Sequence, residues 1–496
     1  MLTRLKVQGF KNIDIDVRLG PFTCIAGANG IGKSNVFDAI AFLSALADKS
    51  LIDAALSVRG GAGRTGDVRS LFRRTGDTMA DEMHFLVEMI IPERGEDDLG
   101  QPAEASMTYL QYRLGLRYRG DSTGLPVGGI ELVHEDLKHL NKSSAKKSLG
   151  FPSKRAWVES VIQGRRTSSY ISTEHSIVSL HADAGGGTGG RPRKVPAHSL
   201  PRTMLSSVNN AAEHRTLVLA RQEMKSWMEL QLEPSALRSA DPFTAPHTIG
   251  ASGDHLPATL YHLAHSAAQR EPGGDQNLYA RVANRLSELI ENVGSISVDV
   301  DERRQLLNVV MTDLLGTPHV AGSLSDGTLR FLALTVMEAD SSPRALICLE
   351  EPENGMHPSR IRPMLRLLQE IAVDPTEPVG PDNPLRQVII NTHSPLVVAE
   401  VPDDALLFAH AAKDPTTSPR ATMLSLAALP DTWRNNVPVV SRGALLDYLN
   451  PLQDPEDDAR DADNATEGGD EQHFARRRVK DRKDLQMLLP LFKNVN

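Results

Sequence analysis

The chain has 496 residues, 54 Lys and Arg against 63 Asp and Glu, a net charge of −9 and two cysteines. That length can bury a large core and suggests about two or three domains. The charge gives no global electrostatic footprint for nucleic acid, and Cys24 and Cys348, each inside an apolar run, provide neither a disulfide framework nor a metal-ligand spacing. No apolar run reaches the roughly 18 residues of a membrane span. Charged residues in the first strand interrupt any signal-peptide core, so a reducing, cytoplasmic location without membrane is expected.

In chain order, the apolar run Phe22-Thr-Cys-Ile-Ala26 leads into Gly27-Ala-Asn-Gly-Ile-Gly-Lys-Ser34, which matches G-x-x-x-x-G-K-[ST] at every fixed position. Asn35 to Leu43 then repeats apolar residues at helical spacing. Strand, glycine-rich turn and helix N-terminus is the context this motif requires. The backbone of Asn29, Gly30, Gly32, Lys33 and Asn35 is expected to surround phosphate oxygens, helped by the helix dipole. Lys33 is expected to reach the β/γ-phosphates of ATP and the Ser34 hydroxyl to ligate Mg²⁺.

Arg59, Arg64, Arg69, Arg73 and Arg74 make the following stretch basic and glycine-rich, as a solvated loop or an approach to a polyanion. Glu82 to Ile91 and Met107 to Arg119 alternate like antiparallel strands beside the nucleotide. His181 to Pro192 reads as a flexible surface excursion. From about 205 to 292 the pattern is helical, with Leu256, Leu260 and Leu263, then Val282, Leu286, Leu289 and Ile290 on helical faces. No heptad repeat is sustained, so a short helical subdomain is expected and no long coiled coil.

Leu324-Ser-Asp-Gly-Thr-Leu-Arg330 follows some three hundred residues after the phosphate loop. Ala345-Leu-Ile-Cys-Leu349 reads as a buried parallel strand ending in Glu350 and Glu351. Adjacent side chains at a strand end point in different directions, so Glu350 can hold Mg²⁺ while Glu351 accepts a proton from the attacking water. Gln387-Val-Ile-Ile-Asn391 is a further buried strand, delivering His393 where open α/β sheets bind ligands. Asp454 to Glu471 is an acidic linker without apolar periodicity. Beyond it, Arg476 to Lys483 is basic, and Leu485, Leu488, Leu489 and Phe492 suit either a helix returning to its own core or a docking segment.

This order of motifs resembles the ABC-type ATPases of the RecF, SMC and OLD group, in particular stand-alone AAA-family ATPases of prokaryotic anti-phage systems such as PARIS or Septu. Leu2 to Asn12, Gly253-Asp254, Leu256 to Leu263 and Ser441 to Leu446 also resemble that group. The resemblance implies an α/β P-loop fold with a mixed central sheet, an antiparallel β lobe and an inserted helical subdomain. It implies core segments at 1–95 and 316–447, an inserted arm region at 96–315 with a flexible excursion near 181–200, and a tail at 448–496. It makes Glu350 the Walker B carboxylate, where many relatives have Asp, Glu351 the catalytic base and His393 the switch histidine. Ser325 and Gly327 become contacts to the γ-phosphate bound by a partner subunit. A homodimer or higher even-numbered oligomer, acting on a separate effector such as a nuclease, follows from this, with nucleic acid an open partner. No TOPRIM nuclease is expected, because too few residues follow His393. A RecF- or SMC-like DNA clamp is the alternative. The glutamine loop of many relatives is not assigned; Gln163 is one candidate among several.

Overall fold

Leu5, Val7 and Phe10, then Ile13, Ile15 and Val17, are buried while intervening residues lean toward solvent, the period of a strand with one covered face. They form β1 (Leu2–Phe10) and β2 (Ile13–Arg18), paired antiparallel. β3 (Phe22–Ala26) is instead buried at every position, as a parallel strand covered on both faces must be. It passes through the phosphate loop into α1 (Ser34–Leu46). The computed structural model describes residues 1–58, 67–76, 78–120, 129–183, 192–340, 345–413, 422–434, 437–449 and 479. The acidic linker from Asp454 and the basic, apolar segment after it therefore lie outside the described residues, Val479 excepted, as do Arg59, Arg64 and residues 184–191.

The expected alternating segments become β4 (Glu82–Ile90) and β5 (Tyr109–Arg119), joined by β6 (Gly129–His139) and the shorter β7 (Ile171–Glu174), β8 (Ile177–Leu180) and β9 (Arg193–Pro196). After α2 (Ala211–Lys225) comes a three-residue strand, β10 (Met228–Leu230). The helical region supplies α3 (Leu256–Arg270) and α4 (Gly274–Ser287), followed by a hairpin, β11 (Val293–Asp301) and β12 (Leu306–Asp313). The core resumes with α5 (Asp326–Ala339), β13 (Leu346–Glu350), α6 (Ile361–Ile371), β14 (Gln387–Thr392), β15 (Leu406–Lys413), β16 (Thr422–Ala428) and α7 (Arg442–Leu449).

Among the described residues, one 14-stranded sheet runs β9-β8-β7-β6-β5-β4-β1-β2-β16-β15-β3-β14-β13-β10. From β15 to β10 its neighbours are parallel, and from β9 to β2 they are antiparallel. The fold is thus α/β, with a mixed sheet, an antiparallel lobe and a helical arm. The parallel strands divide two apolar layers. Ile25, Cys348 and Ile389 join the layer of α1, whereas Cys24, Leu349 and Ile390 join that of α5 and α6. Each fully buried aliphatic side chain of this kind contributes roughly 2 kcal/mol. Both cysteines are buried and free.

The longest continuous helix among the described residues, α3, has 15 residues, and α2 is kinked at His214 (φ −137°, ψ 53°). α3 and α4 pack on each other and reach α5, so the arm leans on the helix that begins after Ser325. β10 returns from the arm region to the core, with Leu230 opposite Leu349 in parallel register. Among the described residues no helix is long and apolar enough to cross a membrane.

Candidate functional site

The phosphate loop leaves β3 at Gly27, whose N–H donates to Thr392 O at 3.2 Å and so ties the loop to the end of β14. A Cβ at Gly27 would lie 2.4 Å from Ala409 O. Gly32 has φ +103°, and a Cβ there would lie 2.5 Å from the Asn12 amide atoms, so both conformation and space require glycine. Asn12, in the turn between β1 and β2, buttresses the loop: its Nδ2 donates to Ile31 O at 3.1 Å, and Asn35 Nδ2 donates to its Oδ1 at 2.6 Å. Asn29 and Gly30 are exposed at the crest, and Ser34 opens α1. The buried Lys33 folds back, its Nζ donating to Gly27 O at 2.7 Å and Ala28 O at 2.9 Å. Burial pulls its ammonium below the usual lysine range, against the fields of Glu351, Glu350 and Glu353. These carboxylates therefore act on the phosphate loop itself.

β13 and β14 pair so that Glu350 lies opposite Asn391, and Asn391 Nδ2 donates to Glu350 Oε1 at 3.1 Å. Glu351 then takes φ +44°, a left-handed conformation that is costly for a side chain and is kept only where the surroundings hold it. Its N–H donates to Asn391 O at 3.0 Å and lies 3.1 Å from Asn391 Oδ1. This turn separates the two adjacent carboxylates. Glu351 Oε1 lies 2.6 Å from His393 Nδ1, and its Oε2 accepts from Asn354 Nδ2 at 2.7 Å. Glu353, two residues on, is buried; its Oε1 accepts from Thr392 Oγ1, while its Oε2 has no partner. Burial pushes its carboxyl above the usual carboxylate range, against the Thr392 bond.

Ser325 and Gly327 have other partners than this cluster. Ser325 is exposed and caps α5, accepting from Thr328 N at 3.2 Å. Arg238 holds the loop from the arm side, donating to Leu324 O at 3.1 Å and to Asp326. Among the described residues no hydrogen bond or ion pair joins Ser325 or Gly327 to Lys33, Glu350, Glu351 or His393. One chain thus brings together the phosphate loop, both carboxylates and the histidine, and among the described residues the L-S-D-G loop makes no direct hydrogen bond to them.

Gln163 is not near this site. Its carboxamide donates to Ser160 O at 3.2 Å, and its backbone pairs with Thr108 beside the start of β5, which meets β4 at Ile90 near Met1. Asn12 follows the other end of β1, a strand length of about 30 Å away. Of the basic stretch, Arg69 pairs with Asp67 and Arg73 approaches Asp14 at 3.9 Å. Sequence reasoning assigned no role to Asn12, Asn354, Glu353 or Thr392, although Asn12 ends a quoted stretch and the other three lie within three positions of Glu351 or His393.

The family described as "AAA domain, putative AbiEii toxin, Type IV TA system" matches residues 22–123 and 117–399. No curated protein matches the chain. Among solved structures, the SMC head bound to the C-winged helix domain of ScpA has 13% identity and a TM-score of 0.45, over 86% of this chain and 98% of that one. The SMC head domain from Thermotoga maritima has 11% identity and a TM-score of 0.35, over 86% and 99%. The Smc head domain with an extended coiled coil, bound to the C-terminal domain of ScpA and derived from Pyrococcus furiosus, has 11% identity and a TM-score of 0.41, over 86% and 96%. The matched family residues run from β3 to the segment beyond His393, well over half of the chain, and on that extent this protein belongs to the AAA-domain family so described.

Proposed function

We propose that this protein is an ATP-hydrolysing subunit that pairs with a second copy around two nucleotides and acts as a nucleotide-driven switch on a separate effector in anti-phage defence. The observation that carries the reading is the 2.6 Å contact between Glu351 and His393, made at the carboxyl ends of adjacent parallel strands beside Lys33. A base and a hydrogen-bond donor hold each other where phosphate is to bind. On ATP binding, Lys33 leaves the Gly27 and Ala28 carbonyls for β/γ-phosphate oxygens, and the loop N–H groups complete the cradle. The Ser34 hydroxyl and Glu350 form an oxygen donor set suited to Mg²⁺. That ion, when bound, neutralises charge developing on the phosphate oxygens. His393 turns from Glu351 toward the γ-phosphate, freeing Oε1 to accept a proton from the attacking water.

The exposed Ser325 and half-buried Gly327 at the N-terminus of α5 suit a phosphate presented by another copy, which supports a homodimer or a higher even-numbered assembly. The family's description as a toxin of a toxin–antitoxin system supports a cellular role in which activity is restrained until a trigger arrives. Replacing the base tests the reading. Glu351→Gln is expected to bind ATP normally, to lower hydrolysis on the order of a hundredfold or more, and to accumulate an ATP-dependent dimer in light scattering. Near-normal turnover would remove Glu351 from its role, and a monomer in saturating ATP would remove the sandwich.

A further inference from the structure

The helix that begins after Ser325 is hydrogen-bonded to the turn that holds Glu351. Arg330, in the second turn of α5, donates through Nη1 to the Asn354 carbonyl and through Nε to Leu232 O at 3.2 Å. Asn354 then donates its Nδ2 to Glu351 Oε2 at 2.7 Å and its N–H to Glu351 O at 3.0 Å. Asn354 is therefore gripped by α5 through its carbonyl while its side chain grips the base. A guanidinium fork can serve two carbonyls at once, whereas a lysine ammonium has a different geometry and a shorter reach between acceptors. A cavity of about 190 Å³, lined in part by Leu232, Arg330, Glu351, Asn354 and Met356, runs along this contact and leaves room for the turn to shift.

We propose that Arg330 is a positioning residue that couples the two nucleotide sites of the dimer; this rests on the reading above, in which Ser325 meets the nucleotide held by the other copy. Within each subunit, Ser325 answers to that foreign nucleotide and Glu351 acts on the subunit's own. Arg330 and Asn354 are the hydrogen-bonded path between them. Engagement of Ser325, which caps α5 through Thr328 N, moves α5 as a 14-residue rigid unit. Arg330 carries the Asn354 carbonyl with it, and Asn354 resets Glu351 Oε2, which its left-handed backbone leaves dependent on such restraints. Each base is then set only when the opposite nucleotide is in place, and hydrolysis is cooperative in ATP.

The test compares wild type, Arg330→Ala, Arg330→Lys, Asn354→Ala and Glu351→Gln as full-length protein. ATP affinity is read with a fluorescent ATP analogue, melting temperature by calorimetry, and turnover against ATP concentration. Arg330→Ala is expected to keep its affinity and melting temperature, to lose about tenfold in turnover, as expected for a misplaced base, and to turn a sigmoidal ATP dependence hyperbolic. Arg330→Lys should recover part of the sigmoidal form. Asn354→Ala, which leaves the carbonyl for Arg330 but removes the bond to Glu351, should match Arg330→Ala and serves if the latter does not fold. A wild-type curve without cooperativity, or sigmoidal curves retained in both alanine variants, overturns the coupling while leaving the hydrolysis reading intact. Normal turnover in Glu351→Gln refutes that reading instead.

Discussion

Glu135 in the antiparallel lobe and Glu353 beside the phosphate loop are both buried, yet their surroundings differ. Glu135 Oε1 accepts from Leu205 N at 2.9 Å and Tyr112 Oη at 3.1 Å, and its Oε2 accepts from Met204 N at 2.6 Å. Asp183, also in the lobe, collects Ser106 Oγ, Arg166 Nη1 and Thr216 N in the same way. Glu353 has one donor, Thr392 Oγ1, and an unpaired Oε2. A buried acceptor without a donor costs about 1–3 kcal/mol. The lobe carboxylates are therefore closed networks that fix structure, while the one at the phosphate loop is held at a cost that its own hydrogen bonds do not offset.

The largest expected effect lies in the lobe. Glu135→Ala strands two backbone N–H groups and a tyrosine hydroxyl, and at mildly acid pH should lower unfolding free energy on the order of 4 kcal/mol in denaturant titrations. Its wild-type counterpart should also show a pH slope. Burial raises the Glu135 carboxyl from 4.5 to about 7. The folded chain thus keeps a proton that the unfolded chain releases between those values. The stabilisation from this residue is fully present below about 4.5 and is lost as pH rises to about 7, a change of about 3 kcal/mol. The alanine variant should lack that component, and an unaltered slope would show that another group carries it.

A smaller effect of opposite sign is expected at the site. Glu353→Gln removes a buried charge while keeping an acceptor for Thr392, and should raise stability by about 1 kcal/mol at neutral and alkaline pH. The gain should fade as pH falls, because the raised carboxyl of Glu353 is then protonated in wild type as well. Loss of stability in this variant at alkaline pH would erase the contrast between the two glutamates.

What was legible in the sequence follows from how locally each feature is specified. β3, β13 and β14 are short buried runs: Glu350 ends β13, Glu351 and His393 take the positions just after β13 and β14, and Lys33 comes seven residues after β3 in the glycine-rich loop, so these candidates could be read from strand ends and one motif. The alternation of Ile296, Val298 and Val300 with Ser297, Asp299 and Asp301 was a hairpin signal that the helical pattern before it obscured. β10 is three residues long and acquires its role only by pairing with β13. Arg330 and Asn354 are 24 positions apart and meet through a backbone carbonyl, which no residue-type pattern encodes. Glu353 lies only two positions after Glu351, but its unpaired oxygen depends on packing around Thr392.

Asn12 tests where the boundary between the two regions runs. It follows β1, whose strand partners belong to the antiparallel lobe, yet its amide makes two hydrogen bonds to the phosphate loop and α1. Asn12→Ala removes both from a half-buried position where water can replace them, so melting temperature should fall little. ATP binding, however, must then order a looser loop, and affinity should fall about fivefold, the equivalent of one net hydrogen bond of roughly 1 kcal/mol. The substitution also clears the space that a Cβ on Gly32 would need, but Gly32 keeps φ +103°, so Gly32→Ala should remain defective in the Asn12→Ala background. Unchanged ATP affinity in Asn12→Ala, measured by calorimetric titration, would make the β1–β2 turn part of the lobe's packing and confine the site to the parallel strands. A selective loss of affinity would extend the site into the lobe, and would make the antiparallel sheet a support for the nucleotide loop as well as a separate folding layer.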